Sequence, residues 1–192
     1  MVSSGISQDS VVNSASRALR LALLACLALG LPGIGLSQAS SEYQLKADFI
    51  YNFAKFVVWP PATFPTPSDS FGMCVYERNP ISAVLERDMQ GKTVQGRKIA
   101  VKTVINISDA RTCQILFIGQ LKKVQLKDLL EALQGAPVLT VGEAPGFTQA
   151  GGIINLVVES NHLGFVINNA TARAEGLKIS SRLLSLAKRV TD

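Results

Sequence analysis

Histidine and cysteine are scarce in this chain. Its 192 residues hold one histidine, His162, and three cysteines, Cys26, Cys74 and Cys113. A structural zinc centre needs four such ligands and a catalytic one about three, so zinc chemistry has too few donors here. A disulfide exchanger wants two cysteines close in sequence with one exposed, and Cys74 and Cys113 are far apart. Charge is thin as well: 17% of residues are charged, with a net +5. The Lys and Arg side chains gather into no dense run, which argues against a nucleic-acid partner. The longest apolar run, Leu21–Leu31, falls well short of the roughly 20 residues that span a bilayer.

The apolar fraction, 47%, is ample for a folded core, and the length suits one domain. The first 39 residues have a different character from the rest. Arg17 and Arg20 precede the apolar run, Pro32 and Gly33 break it, and Ser37-Gln38-Ala39 follows. A positive flank, a short apolar stretch and a small-residue exit are the order of a secretory signal. Cleavage is expected between Ala39 and Ser40, which leaves an exported domain of residues 40–192. Two readings compete. Leu23-Leu24-Ala25-Cys26 resembles a lipoprotein signal that would be acylated at Cys26, and the segment could stay uncleaved as an anchor. With Cys26 removed, an even number of cysteines remains in an exported domain, so a Cys74–Cys113 disulfide is expected. Two buried free thiols are the alternative.

Along residues 40–192, Leu45, Phe49, Phe53 and Phe56 recur at helical spacing, and a helix is predicted over Tyr43–Val58. These aromatics are expected in the core, with Tyr51 or Trp59 as candidates to line a groove. Strands are predicted at Phe71–Tyr76, Lys98–Val104, Cys113–Ile118 and Pro137–Val141, and helices at Ile81–Met89 and Val124–Leu133. The alternation implies a parallel sheet with covering helices. Ile153–Glu159 and Gly164–Ile167 then read as an antiparallel edge hairpin with His162 in its turn. Asn169–Glu175 and Ser181–Val190 read as closing helices, with Lys188 and Arg189 favourably placed at a helix C-terminus. The expected fold is a single-domain α/β three-layer sandwich. Its sheet is mixed, mostly parallel, with five to six strands and flanking helices.

No catalytic set stands out. Glu159, Ser160 and His162 are neighbours, but successive strand residues face opposite ways. The loop Gly146-Phe147-Thr148-Gln149-Ala150-Gly151-Gly152 precedes a strand, so the helix N-terminus that would hold a phosphate is missing. It reads as a turn needing positive φ, or as an exposed loop presenting Phe147 to a partner.

Three segments resemble the YfiR family, a domain of unknown function. They are Lys46-Ala47-Asp48-Phe49-Ile50-Tyr51-Asn52-Phe53-Ala54-Lys55-Phe56-Val57-Val58-Trp59-Pro60, then Gly151-Gly152-Ile153-Ile154-Asn155, then Phe165-Val166-Ile167-Asn168-Asn169 with Ala174-Glu175-Gly176-Leu177-Lys178-Ile179-Ser180-Ser181-Arg182-Leu183-Leu184. The resemblance implies a periplasmic α/β protein that is not an enzyme and carries no cofactor. It implies a negative regulator that binds the periplasmic sensor domain of an inner-membrane diguanylate cyclase, or a related sensor kinase. Repression would lower cyclic di-GMP and biofilm formation, and an outer-membrane lipoprotein would relieve it. A second copy of the chain is another candidate partner. Cys74 and Cys113 match one cysteine pair of the family's prototype. The prototype's second pair, flanking the glycine loop, is absent here, where Phe147 and Ile154 stand instead. Redox control through that pair is not expected. The candidate partner-binding residues are Phe147, Ile153, His162 and Phe165, with plain core as the alternative for Ile153 and Phe165. The competing function is a periplasmic small-molecule binder, using the carboxyl ends of the strands.

Overall fold

The computed structural model describes residues 34–160 and 162–192. The compact unit that carries the sheet spans Ser40–Asp192. The bulk of the expected leader, Cys26 included, lies outside the described residues. No helix among the described residues is long and apolar enough to cross a membrane.

The first helix, α1 (Ile34–Lys55), lays an apolar stripe on the sheet: Ala47, Ile50, Phe53 and Ala54 are fully buried. It stops three residues before the predicted end. Val57–Val58 instead form a short strand, β1, which pairs antiparallel with β9 (Lys178–Ile179). The β-branched pair suits a strand as well as it continues the helical stripe, and the distant partner decides.

The main sheet collects β2 (Phe71–Tyr76), β3 (Thr93–Val94), β4 (Arg97–Val104), β5 (Ile115–Ile118), β6 (Leu139–Gly142), β7 (Ile154–Glu159), β8 (His162–Asn168) and β10 (Arg189–Thr191). Their order is β10-β8-β7-β6-β5-β2-β4-β3. Pairing is antiparallel at β3–β4 and β7–β8, and parallel elsewhere. Eight strands exceed the expected five to six because β3 and β10 join at the two edges.

The intervening helices are α2 (Ile81–Asp88), α3 (Ile107–Ala110), α4 (Lys123–Leu133), α5 (Asn169–Ala174) and α6 (Ser181–Leu186). Two separate apolar clusters fill the two faces of the sheet. One holds the buried residues of α1 and α2 with Ala172 and Leu183. The other holds Leu126, Leu129, Leu130 and Leu133 of α4, Ala110 of α3, and both Cys74 and Cys113. The three expected layers are therefore present.

Two expectations need correcting. The last helix does not run to Val190. Ser180 caps α6 by accepting the Leu183 N–H at 3.3 Å, the helix ends at Leu186, and the chain turns extended at Ala187. Lys188 N–H then donates to Phe165 O at 2.9 Å and starts β10. Its apolar spacing fits a helix, but pairing with β8 overrides that preference. For the same reason the β7–β8 hairpin is not at the sheet edge, because β10 covers β8.

Candidate functional site

The glycine loop between β6 and β7 is built around one aromatic ring. Phe147 is fully buried, so it is not presented to solvent. Its ring lies between Gly142 and Gly152, and a Cβ at either glycine would collide with it. A large apolar ring gains most by leaving water, and two residues without side chains make the slot that takes it. The loop's main chain closes on itself: Phe147 N–H donates to Ala144 O at 3.1 Å, and Gly152 N–H to Phe147 O at 2.9 Å. The expected positive φ is found at Gly146 (77°) and Gly151 (102°). Asn168 donates its side-chain amide to Thr148 O at 3.1 Å and ties the loop to the end of β8.

The other candidates separate by exposure. Ile153 is buried beside the loop, its N–H donating to the Thr140 hydroxyl at 3.0 Å. Phe165 is buried on β8, where its ring meets the edges of Phe53 and Phe49 at 5.0 and 5.8 Å and seats α1 on the sheet. Only His162 of the four is exposed. It opens β8 opposite Glu159 instead of sitting in the turn, and its Nδ1–H donates to Ser160 O at 2.8 Å. Trp59 is buried too, with its indole N–H on Gln114 O at 3.2 Å. Tyr51 is half-buried, with the Lys55 and Lys92 ammoniums over its ring.

Loop and hairpin do meet, around a cavity of about 450 Å³. Glu143 and Pro145 of the loop form one side, and Leu156–Glu159 with Leu163 of the hairpin form another. Glu42 and Lys46 of α1 close it. Lys46 is 6% exposed and ion-pairs with Glu143 and, at 2.6 Å, with Glu42. Burial works against its charge, but the hydrogen bonds and charges of Glu143 and Glu42 outweigh burial and raise its pKa. Asn155 stands in the same wall, 6% exposed, and its Oδ1 has no hydrogen-bond partner among the described residues. At the far end Lys188 hydrogen-bonds Glu159 at 2.6 Å and holds that carboxyl below its usual range.

Sequence reasoning missed Lys46, Glu143 and Asn155 as site residues. Lys46 reads as one more polar residue of an amphipathic helix, and only the fold brings Glu143 to it. Asn155 carried a usable signal, as a polar residue inside an otherwise apolar strand. A raised Lys46 pKa means that protonation favours folding. The contribution is complete below the unfolded value of about 10.4 and disappears as pH rises through the folded one. Lys46→Met should lose about 1–3 kcal/mol at pH 7, because two carboxylates lose their shared donor. The difference from wild type should shrink in urea titrations as pH rises past the ordinary lysine range, and an unchanged difference there would contradict the assignment.

Cys74, in β2, and Cys113, just before β5, form a disulfide with Cα atoms 6.0 Å apart. It fastens the centre of the sheet to the face that also holds Phe147.

The sequence matches the family described as DUF4154, YfiR/HmsC-like, over residues 43–188. No curated protein matches it. Among solved structures, it is similar to a conserved domain protein from Vibrio cholerae O1 biovar El Tor strain N16961, with a TM-score of 0.54 and 14% identity. That likeness covers 78% of this chain and 60% of the Vibrio chain, and it concerns the fold alone. A second likeness is to the ABC domain in complex with L-Trp from Streptococcus pneumoniae, with a TM-score of 0.48 and 11% identity, over 75% of this chain and 60% of that one. The family match runs from the first core helix to the start of the last strand, and the chain belongs to the YfiR/HmsC-like family.

Proposed function

We propose that this chain is a periplasmic negative regulator, exported by a leader that ends at Ala39, which works by binding and not by catalysis. Its target is the periplasmic sensor domain of an inner-membrane diguanylate cyclase, and its effect is to hold cyclic di-GMP synthesis down. The observation that carries this reading is family membership over residues 43–188. A disulfide through the sheet centre suits an oxidising compartment and supports the same reading.

Repression of this kind is differential binding. The regulator shifts the cyclase toward its inactive arrangement by the ratio of its affinities for the two states. The surface formed by Glu143, Pro145 and the hairpin end is the proposed contact. Phe147 packs under the loop that carries Glu143 and Pro145, Ile153 is buried beside that loop, Phe165 seats α1 on the sheet, and His162 stands on the hairpin end. The test is co-purification of the purified protein with the sensor domain of a cyclase from the same organism. A stable complex is expected, and its absence with both proteins folded would contradict the reading.

A further inference from the structure

The β7–β8 hairpin outruns the sheet. β6 stops at Gly142, level with Asn155, whereas β7 continues to Glu159. Asn168 N–H donates to Ile153 O at 2.8 Å. Bonded pairs alternate along an antiparallel ladder, so Asn155, Val157 and Glu159 turn their main-chain groups toward β8. Val158 turns its N–H and C=O the other way, to the side where β6 has ended. Among the described residues, the β6–β7 ladder finishes at the Gly142–Asn155 pair, and Val158 is 62% exposed.

An unpaired strand edge is a template for another strand. The two edges of this hairpin are treated differently. On β8, β10 pairs from Val166 onward, and the Lys188 side chain lies against Gly164 on its way to Glu159. On β7, the edge borders the cavity of about 450 Å³, and among the described residues no strand pairs with that side beyond Asn155.

The cavity also says what kind of chain fits. Glu42 and Glu143 share the one ammonium of Lys46, and Glu159 in the same wall is paired with Lys188, which leaves one carboxylate charge in excess. Asn155 Oδ1 is buried in the same wall without a partner, and a donor reaches it only when that wall opens. An incoming basic side chain supplies both positive charge and N–H groups, whereas an acidic one meets repulsion.

We propose that the β7 edge beyond Asn155 receives an extended segment of a partner protein as an added strand, with a lysine or arginine of that segment in the cavity beside Glu143 and Asn155. Main-chain bonds at Val158 give the register, and the cavity selects the basic residue. The proposal rests on the reading of this chain as a regulator that binds a protein, and it names the surface used.

The test uses the full chain and three synthetic peptides: acetyl-Thr-Val-Lys-Val-Thr-amide, the same peptide with Glu for Lys, and the lysine peptide with both valines N-methylated. Binding is followed by NMR titration together with hydrogen exchange at the Val158 amide. The lysine peptide should saturate and slow Val158 exchange by about tenfold or more, as expected for an amide that gains a partner. The glutamate and N-methylated peptides should bind at least about tenfold more weakly, a difference of about 1.4 kcal/mol. A Glu143→Gln protein should lose affinity for the lysine peptide and not for the glutamate peptide. Unchanged Val158 exchange at 10 mM lysine peptide would overturn the proposal. So would equal binding of all three peptides. The two peptide controls leave the protein untouched, so their outcome does not depend on whether a variant folds. No cyclase is present, so failure here leaves the repressor reading standing, and failure of cyclase binding leaves this result standing.

Discussion

Replacing Phe147 by alanine should destabilise the fold by about 3–5 kcal/mol, the usual loss for a buried phenylalanine. The site cannot collapse to absorb the loss. The ring is held between Gly142 and Gly152, neither of which has a side chain to move into the space. It also packs in the cluster that α4 lays on the sheet, so the helix loses contacts too. Gly152→Ala should destabilise from the opposite direction by about 1–3 kcal/mol, because its Cβ and the ring claim one volume. Urea denaturation checks both. A Phe147→Ala loss below about 1 kcal/mol would place the ring outside the packed core, since surface changes rarely exceed about half of that. Both variants should also loosen Glu143 and Pro145, and so weaken whatever binds at the cavity.

Removing the disulfide by Cys74→Ala with Cys113→Ala should cost about 4 kcal/mol by loop closure, given the separation of 39 residues. Both cysteines are buried, at 1% and 3% exposure. Reduction of the native wild type should therefore be slow and wait on opening of the sheet. Urea titrations of wild type with reductant should match those of the double variant without it. Equal stability of wild type with and without reductant would show that the bridge adds nothing. The bridge and the Phe147 slot share one apolar cluster, so their combined loss need not be the sum of the separate ones.

Much of this fold is legible in the sequence because it depends on local pattern. The near-continuous apolar runs at β5 and β6 mark strands covered on both faces, and Leu126, Leu129, Leu130 and Leu133 mark the buried stripe of α4. What stayed hidden depends on distant partners. Val57–Val58 continue the stripe of α1 until Lys178–Ile179 arrive to pair with them. Lys188–Val190 fit a helix until β8 offers an edge. Phe147 sits in a loop of small and polar residues, where an aromatic reads as exposed, and the slot between two glycines forms only after β6 and β7 pair. The candidate site was half visible. The sequence pointed to the loop and the hairpin, but Lys46 lies on α1, a hundred or so residues earlier, and only folding puts it against Glu143.

The function proposed for this chain is restraint of a membrane diguanylate cyclase through binding to its periplasmic domain. The most direct measurement is cyclic di-GMP production by the full-length cyclase in proteoliposomes, with this protein added on the side of the sensor domain. Production is predicted to fall saturably as the protein is added, and to fall less when the Phe147→Ala variant is used. Undiminished production at a saturating excess of folded wild-type protein would rule out repression by this chain.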